Sequence, residues 1–111
     1  MPFISVSTSL KVDKRNLFLK NCSQLVSKLT KKSEQYVMVL LFDEKPMFFN
    51  KNDSPCCFVE LKSIGSLNPS TFSKEISDFI SKEIGIPYER IYIYFEDVNS
   101  SNWAWNGKTF G

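Results

Sequence analysis

No histidine occurs anywhere in these 111 residues. That absence removes Ser-His-Asp and Cys-His nucleophile pairs, imidazole-ligated metals and imidazole acid–base chemistry together. Any general base must be a carboxylate, a lysine, a tyrosine, a thiolate or an N-terminal amine. Cysteine is scarce: Cys22, Cys56 and Cys57 form no disulfide framework and no Cys-x-x-Cys motif. A bridge between the neighbours Cys56 and Cys57 would be strained, so all three read as small apolar fillers in a reducing compartment. No apolar run approaches the ~20 residues of a bilayer span. No charged n-region followed by an apolar h-region opens the chain, and the expected location is cytoplasmic, a reading compatible with non-classical secretion. Charge imbalance is slight, +2 at neutral pH. A nucleic-acid-binding domain is usually far more basic.

What is present is a single domain's worth of chain, 42% hydrophobic and 14% aromatic, enough to bury a real core. It opens Met1-Pro2-Phe3-Ile4-Ser5-Val6. If Met1 is removed, Pro2 becomes a free secondary amine. An α-amino group titrates near ~7.7–8.0, and an apolar pocket or a neighbouring cation lowers that value. A base poised near the working pH is what proton-transfer catalysis requires. The alternation after Pro2 predicts a strand over residues 2–10 that would hold the amine in place.

Asp13 is expected to cap a helix running to about Thr30, with Leu17, Phe18, Cys22, Leu25, Val26 and Leu29 on one face. Tyr36 to Phe42 is a continuous apolar run, read as a strand buried on both faces. Residues 43–55 are polar and turn-rich, with a short strand expected at Met47–Phe49. Cys56–Ser63 reads as a strand. Asn68-Pro69 starts a second helix, which Gly85 and Pro87 stop, and Arg90–Phe95 is the last long strand.

The pattern is strand–helix–strand twice over, with halves at about 2–45 and 56–98. Shifting the chain by 55 residues sets Phe3 on Phe58, Val6 on Leu61, Leu25 on Ile80 and Glu34 on Glu89, as a duplicated unit would. The predicted fold class is α+β. Two pseudo-symmetric βαβ units form a four-stranded mixed sheet with two helices on one face. Two helices cover only one face, so the other calls for a partner subunit.

Together these features resemble the macrophage migration inhibitory factor family, within the tautomerase superfamily of trimeric proteins with an N-terminal proline. The resemblance spans the whole chain, 1–111. It is carried by Met1-Pro2, Thr30-Lys-Lys-Ser-Glu-Gln-Tyr36, Ser63-Ile64-Gly65, Arg90-Ile-Tyr-Ile93, Asp97-Val-Asn99 and Trp105-Asn-Gly-Lys-Thr-Phe110. It implies a homotrimer and a cofactor-independent keto–enol tautomerase with Pro2 as base and acid. Substrates would be small aromatic 2-oxo acids or enols of the phenylpyruvate or dopachrome kind.

Lys32 would hold the substrate carboxylate and keep the proline pKa low, Ser63 and Ile64 would line the pocket floor, and Tyr36 would form a wall. Phe3, Trp103, Trp105 and Phe110 would supply apolar walls. Tyr92, from the adjacent subunit, would hydrogen-bond a substrate oxygen. Tyr94 stands where the vertebrate cytokine has asparagine, so substrate oxygens would be held differently. The family's Cys-x-x-Cys is missing at Cys56-Cys57-Phe58-Val59, so no thiol oxidoreductase activity is carried over. A trimeric cytokine-like interaction protein with vestigial chemistry is the alternative, and no receptor-binding surface is recognisable. No metal, membrane or nucleic acid is implied.

Overall fold

The computed structural model describes residues 1–111. Its elements are β1 (Phe3–Thr8), α1 (Arg15–Thr30), β2 (Met38–Phe42), β3 (Cys57–Ser63), α2 (Pro69–Ile84), β4 (Ile91–Asp97), β5 (Ala104–Trp105) and β6 (Lys108–Thr109). The main sheet runs β2-β1-β3-β4. β1 is parallel to β2 and antiparallel to β3, and β3 is parallel to β4. This is the four-stranded mixed sheet with two helices that the sequence predicts.

The core lies between the helices and one sheet face. Alternating residues Ile4 and Val6 of β1 and Val59 and Leu61 of β3 meet Phe18, Cys22 and Val26 of α1 and Phe72, Ile76 and Ile80 of α2. Full burial of such side chains contributes about 1.5–3 kcal/mol each. The two helical ladders superpose at a shift of 54, not 55: Phe18 on Phe72, Cys22 on Ile76, Val26 on Ile80. β1 and β3 keep the shift of 55, since Ile4 and Val59 pair with each other's neighbours Leu61 and Val6. One residue fewer between strand and helix in the second half accounts for the difference.

The helix starts differ from each other. Asn68 caps α2 as predicted, its side chain accepting from the Thr71 amide at 3.4 Å, with Pro69 in the first turn. Asp13 does not cap α1. Lys14 occupies that position without a side-chain cap, and Asp43 fixes the entry instead. Its Oδ2 accepts from the Val12 amide and from Arg15 Nε, each at 2.9 Å.

Three strand expectations are corrected. Tyr36 lies in a 3-10 turn, Glu34–Tyr36, so β2 starts at Met38. Met47–Phe49 is no strand; only an isolated bridge joins Phe49 to Asn52. β2 is covered on its helix side alone: Val39 and Leu41 pack against the core, while Met38, Leu40 and Phe42 are exposed. Tyr92 and Tyr94 are exposed on the same outer face of β4. The C-terminal segment folds into the hairpin β5–β6. Its two-residue turn is Asn106-Gly107, both at positive φ, 53° and 79°, the pairing that primed hairpin turns demand.

Candidate active site

Residues at the start of β1, the 3-10 turn before β2 and the C-terminal hairpin enclose a cavity of about 420 Å³. Its lining is Met1, Pro2, Phe3, Gln35, Tyr36, Val37, Met38, Trp103, Ala104, Trp105 and Phe110, nine of them hydrophobic. Pro2 itself is fully buried. β2 runs beside it, the Met38 amide donating to the Pro2 carbonyl at 3.1 Å.

The hairpin is the lid. The Phe110 amide donates to the Trp103 carbonyl at 2.9 Å, and Trp105 meets Tyr36 edge-on with ring centroids 5.7 Å apart. The 3-10 turn matters because it carries Gln35 and Tyr36 out of the sheet and over the start of β1. An extended strand would have sent alternate side chains into the two sheet faces instead.

The electrostatics of this corner act on any amine placed there. The Met1 ammonium has its pKa lowered, first by loss of water and second by the charge of Lys32. Lys32 follows Lys31, which closes α1 in the left-handed conformation at φ 57°. The Lys32 carbonyl accepts from Ser27 Oγ at 2.6 Å, fixing this reversal of the chain. The second half repeats the device, with Ser81 Oγ donating to the Ile86 carbonyl at 2.5 Å.

Of the residues singled out from the sequence, Pro2, Phe3, Tyr36, Trp103, Trp105 and Phe110 line one cavity, and Lys32 reaches it by its charge. Ser63 ends β3, one step beyond the Phe3–Lys62 pair and so in line with Pro2. Its hydroxyl is buried without a partner, while its carbonyl accepts from the Val98 amide at 2.8 Å. Ile64 follows in the turn that Asp97 holds through the Gly65 amide at 2.9 Å.

Tyr92 and Tyr94 do not join this cavity. Tyr92 lines a separate apolar cavity with Met47, Phe48, Phe49, Cys56, Cys57 and Phe58. The Tyr94 hydroxyl donates to Glu96 at 3.3 Å, and the charge of Glu96 raises its pKa. Sequence reasoning missed Gln35, Val37, Met38 and Ala104 as lining residues. The Asn-Gly hairpin signal would have placed Ala104 beside Trp103 and Trp105.

The chain matches the model of the macrophage migration inhibitory factor family over residues 1–111. A macrophage migration inhibitory factor homolog of Trichinella spiralis is 34% identical, with 99% of this chain and 100% of that protein covered. The macrophage migration inhibitory factor of Xenopus tropicalis is 32% identical, with 99% of each covered. A solved homologue from Prochlorococcus marinus superposes with a TM-score of 0.94 at 41% identity, covering 98% of this chain and 99% of that one.

Proposed function

We propose that this chain, which belongs to the macrophage migration inhibitory factor family of the tautomerase superfamily, is a keto–enol tautomerase whose base is the Pro2 amine. Membership supports an isomerase of that superfamily. The choice of phenylpyruvate-like substrates rests on the cavity: an apolar, aromatic-walled space with Met1 and Pro2 in its lining and the charge of Lys32 acting on the N-terminus. One observation carries the reading. The Met1 ammonium, one residue from Pro2, is held below its ordinary pKa by burial and by Lys32, and a Pro2 amine in the same corner would be shifted in the same direction, toward the basic form that proton transfer needs.

The step balances without a co-reactant. With Met1 removed, the Pro2 lone pair takes the enol O–H proton of an aromatic 2-oxo acid, and the electrons of the O–H bond re-form the carbonyl. The C=C π pair then forms the new C–H bond at the adjacent carbon, taking the proton from the prolinium and restoring the amine. Lys32 pairs with the substrate carboxylate, and Phe3, Tyr36, Trp103, Trp105 and Phe110 enclose the ring. Ser63 and Ile64 are not among the residues that line the cavity, and in this reading their backbone would meet the substrate only from beyond Pro2.

The active form in this reading is a homotrimer. The apolar outer face, with Met38, Leu40, Phe42, Tyr92 and Tyr94 exposed, is what a second copy would cover. It would bring Tyr92, and with it Tyr94, to the neighbour's Pro2 cavity. The test is phenylpyruvate keto–enol conversion followed by ultraviolet absorbance. It compares protein whose Pro2 start is confirmed by mass, Pro2→Gly, and a form carrying one alanine before Pro2, with mass in solution measured for each. A fast mature form and two variants slowed by about 10²-fold or more support the amine as catalyst. Three equally slow, folded forms overturn it.

A further inference from the structure

Arg90 ends the 3-10 turn Tyr88–Arg90 just before β4, the strand that carries Tyr92, yet it is only 9% exposed and has no carboxylate partner. Its guanidinium is spent on backbone carbonyls of one loop. Nε donates to Pro55 at 3.0 Å, Nη1 to Phe49 at 3.1 Å and Nη2 to Ser54 at 2.8 Å. The same group lies 5.2 Å from the centroid of the Phe49 ring. Phe49 in turn meets Tyr92 edge-on, with ring centroids 4.7 Å apart and planes at 62°. Tyr92 is thus 62% exposed, held by an aromatic neighbour, and its hydroxyl makes no hydrogen bond within the chain. Ordering a ring that the single chain leaves exposed costs rotamer entropy, and the contact with Phe49 offsets that cost before any second copy arrives.

We propose that Arg90 and Phe49 are positioning residues that hold the Tyr92 phenol in the orientation from which it donates a hydrogen bond to substrate in the neighbouring copy's Pro2 cavity. The inference rests on the tautomerase reading above for what Tyr92 touches. The restraint itself rests on the five contacts alone. The planar guanidinium suits this task, since it satisfies three diverging carbonyls at once. A lysine ammonium in its place would keep the charge and lose the fork. Preorganisation of this kind lets the hydroxyl bind without first losing ring freedom.

The experiment uses full-length protein labelled with 3-fluorotyrosine, whose four tyrosines are assigned with single Tyr→Phe variants. It adds phenylpyruvate kinetics and solution mass for Phe49→Leu, Arg90→Lys, Tyr92→Phe and the Phe49→Leu/Tyr92→Phe double variant. In Phe49→Leu and Arg90→Lys the Tyr92 fluorine signal is expected to narrow and shift toward that of a mobile tyrosine, with oligomeric state unchanged. KM should rise about threefold to tenfold, the range of one hydrogen bond, with kcat less affected. The Phe49→Leu effect on KM should vanish in the Tyr92→Phe background. An unchanged fluorine signal overturns the positioning role whatever the enzyme does. A loosened Tyr92 with an additive KM effect in the double variant overturns its link to substrate. A loosened Tyr92 in a protein whose wild-type form does not turn over phenylpyruvate overturns the tautomerase reading and leaves the restraint standing.

Discussion

Trp105 stands edge-on to Tyr36, with ring centroids 5.7 Å apart and planes at 88°, and this contact joins the C-terminal hairpin to the wall of the Pro2 cavity. Trp105 is 57% exposed, so most of its surface already meets water. Its partner ring is the specific anchor. Trp105→Ala should therefore cost only about 0.5–1.5 kcal/mol of stability, the worth of such a pair, read from the urea midpoint. The cavity would lose its lid, and KM for an aromatic substrate should rise roughly fivefold, the equivalent of about 1 kcal/mol. A stability loss with KM unchanged would remove Trp105 from the site.

Lys32→Ala offers a pH test. In the cavity corner burial is the larger cause of the lowered amine pKa and Lys32 the smaller. The base form is the unprotonated amine, so kcat/KM climbs as pH rises through the Pro2 pKa. Removing the cation lets the ammonium form survive to higher pH. The acidic limb should then move upward yet stay below the ordinary ~7.7–8.0 of an α-amino group, because burial remains. A limb that stays in place in Lys32→Ala would show that this charge does not act on Pro2.

Asp43 gives a stability test of opposite sign. Its carboxyl is held below the usual carboxylate range, chiefly by the hydrogen bond from the Val12 amide and further by Arg15. A depressed carboxylate stabilises the fold above its unfolded pKa of about 3.9, and that contribution is lost as pH falls through the lower folded value. Asp43→Asn should be less stable than wild type at pH 7, and the gap between the two urea midpoints should shrink as pH falls below the unfolded value of about 3.9 and through the lower folded one. A gap independent of pH would mean that Asp43 acts by shape rather than charge.

The cysteines should be silent. Cys22, Cys56 and Cys57 are all buried and free, and burial pushes the thiols of Cys22 and Cys57 up to about 12. The thiolate is the reactive form, so an aromatic disulfide reagent should label none in native protein at pH 8 and all three after denaturation. Rapid native labelling of Cys56 or Cys57 would show that the loop held by Arg90 opens.

The two ladders were readable because helical spacing repeats in each half: Phe18, Cys22 and Val26, then Phe72, Ile76 and Ile80. Asn68-Pro69 and Gly85 announce their own helix ends by local chemistry. What stayed hidden depends on contacts distant in sequence. Asp43 reaches back 31 residues to the Val12 amide, a relation no local pattern encodes, and the local signal favoured Asp13. Arg90 serves carbonyls 35 to 41 residues away. Tyr36 looked like strand because its neighbours are apolar, but its backbone closes a 3-10 turn. Tyr92 and Tyr94 were named through the family resemblance, and a single chain leaves both outside its Pro2 cavity.

The duplicated architecture makes a final prediction possible at the ends of the two helices. At a shift of 54, Lys31 falls on Gly85, and both close their helices in the left-handed region, at φ 57° and 84°. Glycine adopts that conformation freely, whereas a residue with a Cβ pays about 1–2 kcal/mol. Lys31→Gly should recover that strain and lose roughly 0.5–1 kcal/mol to the greater freedom of glycine in the unfolded chain. The net expectation is a gain of about 0.5–1 kcal/mol, measured as a higher urea midpoint with unchanged slope. The turn itself should persist, because the Ser27 hydroxyl still donates to the Lys32 carbonyl. Lys32 then keeps its place beside the cavity, and the pH profile of Lys31→Gly should match wild type. A stabilised protein whose acidic limb has nevertheless moved would mean that the left-handed lysine holds Lys32 in position, and that its strain serves the site.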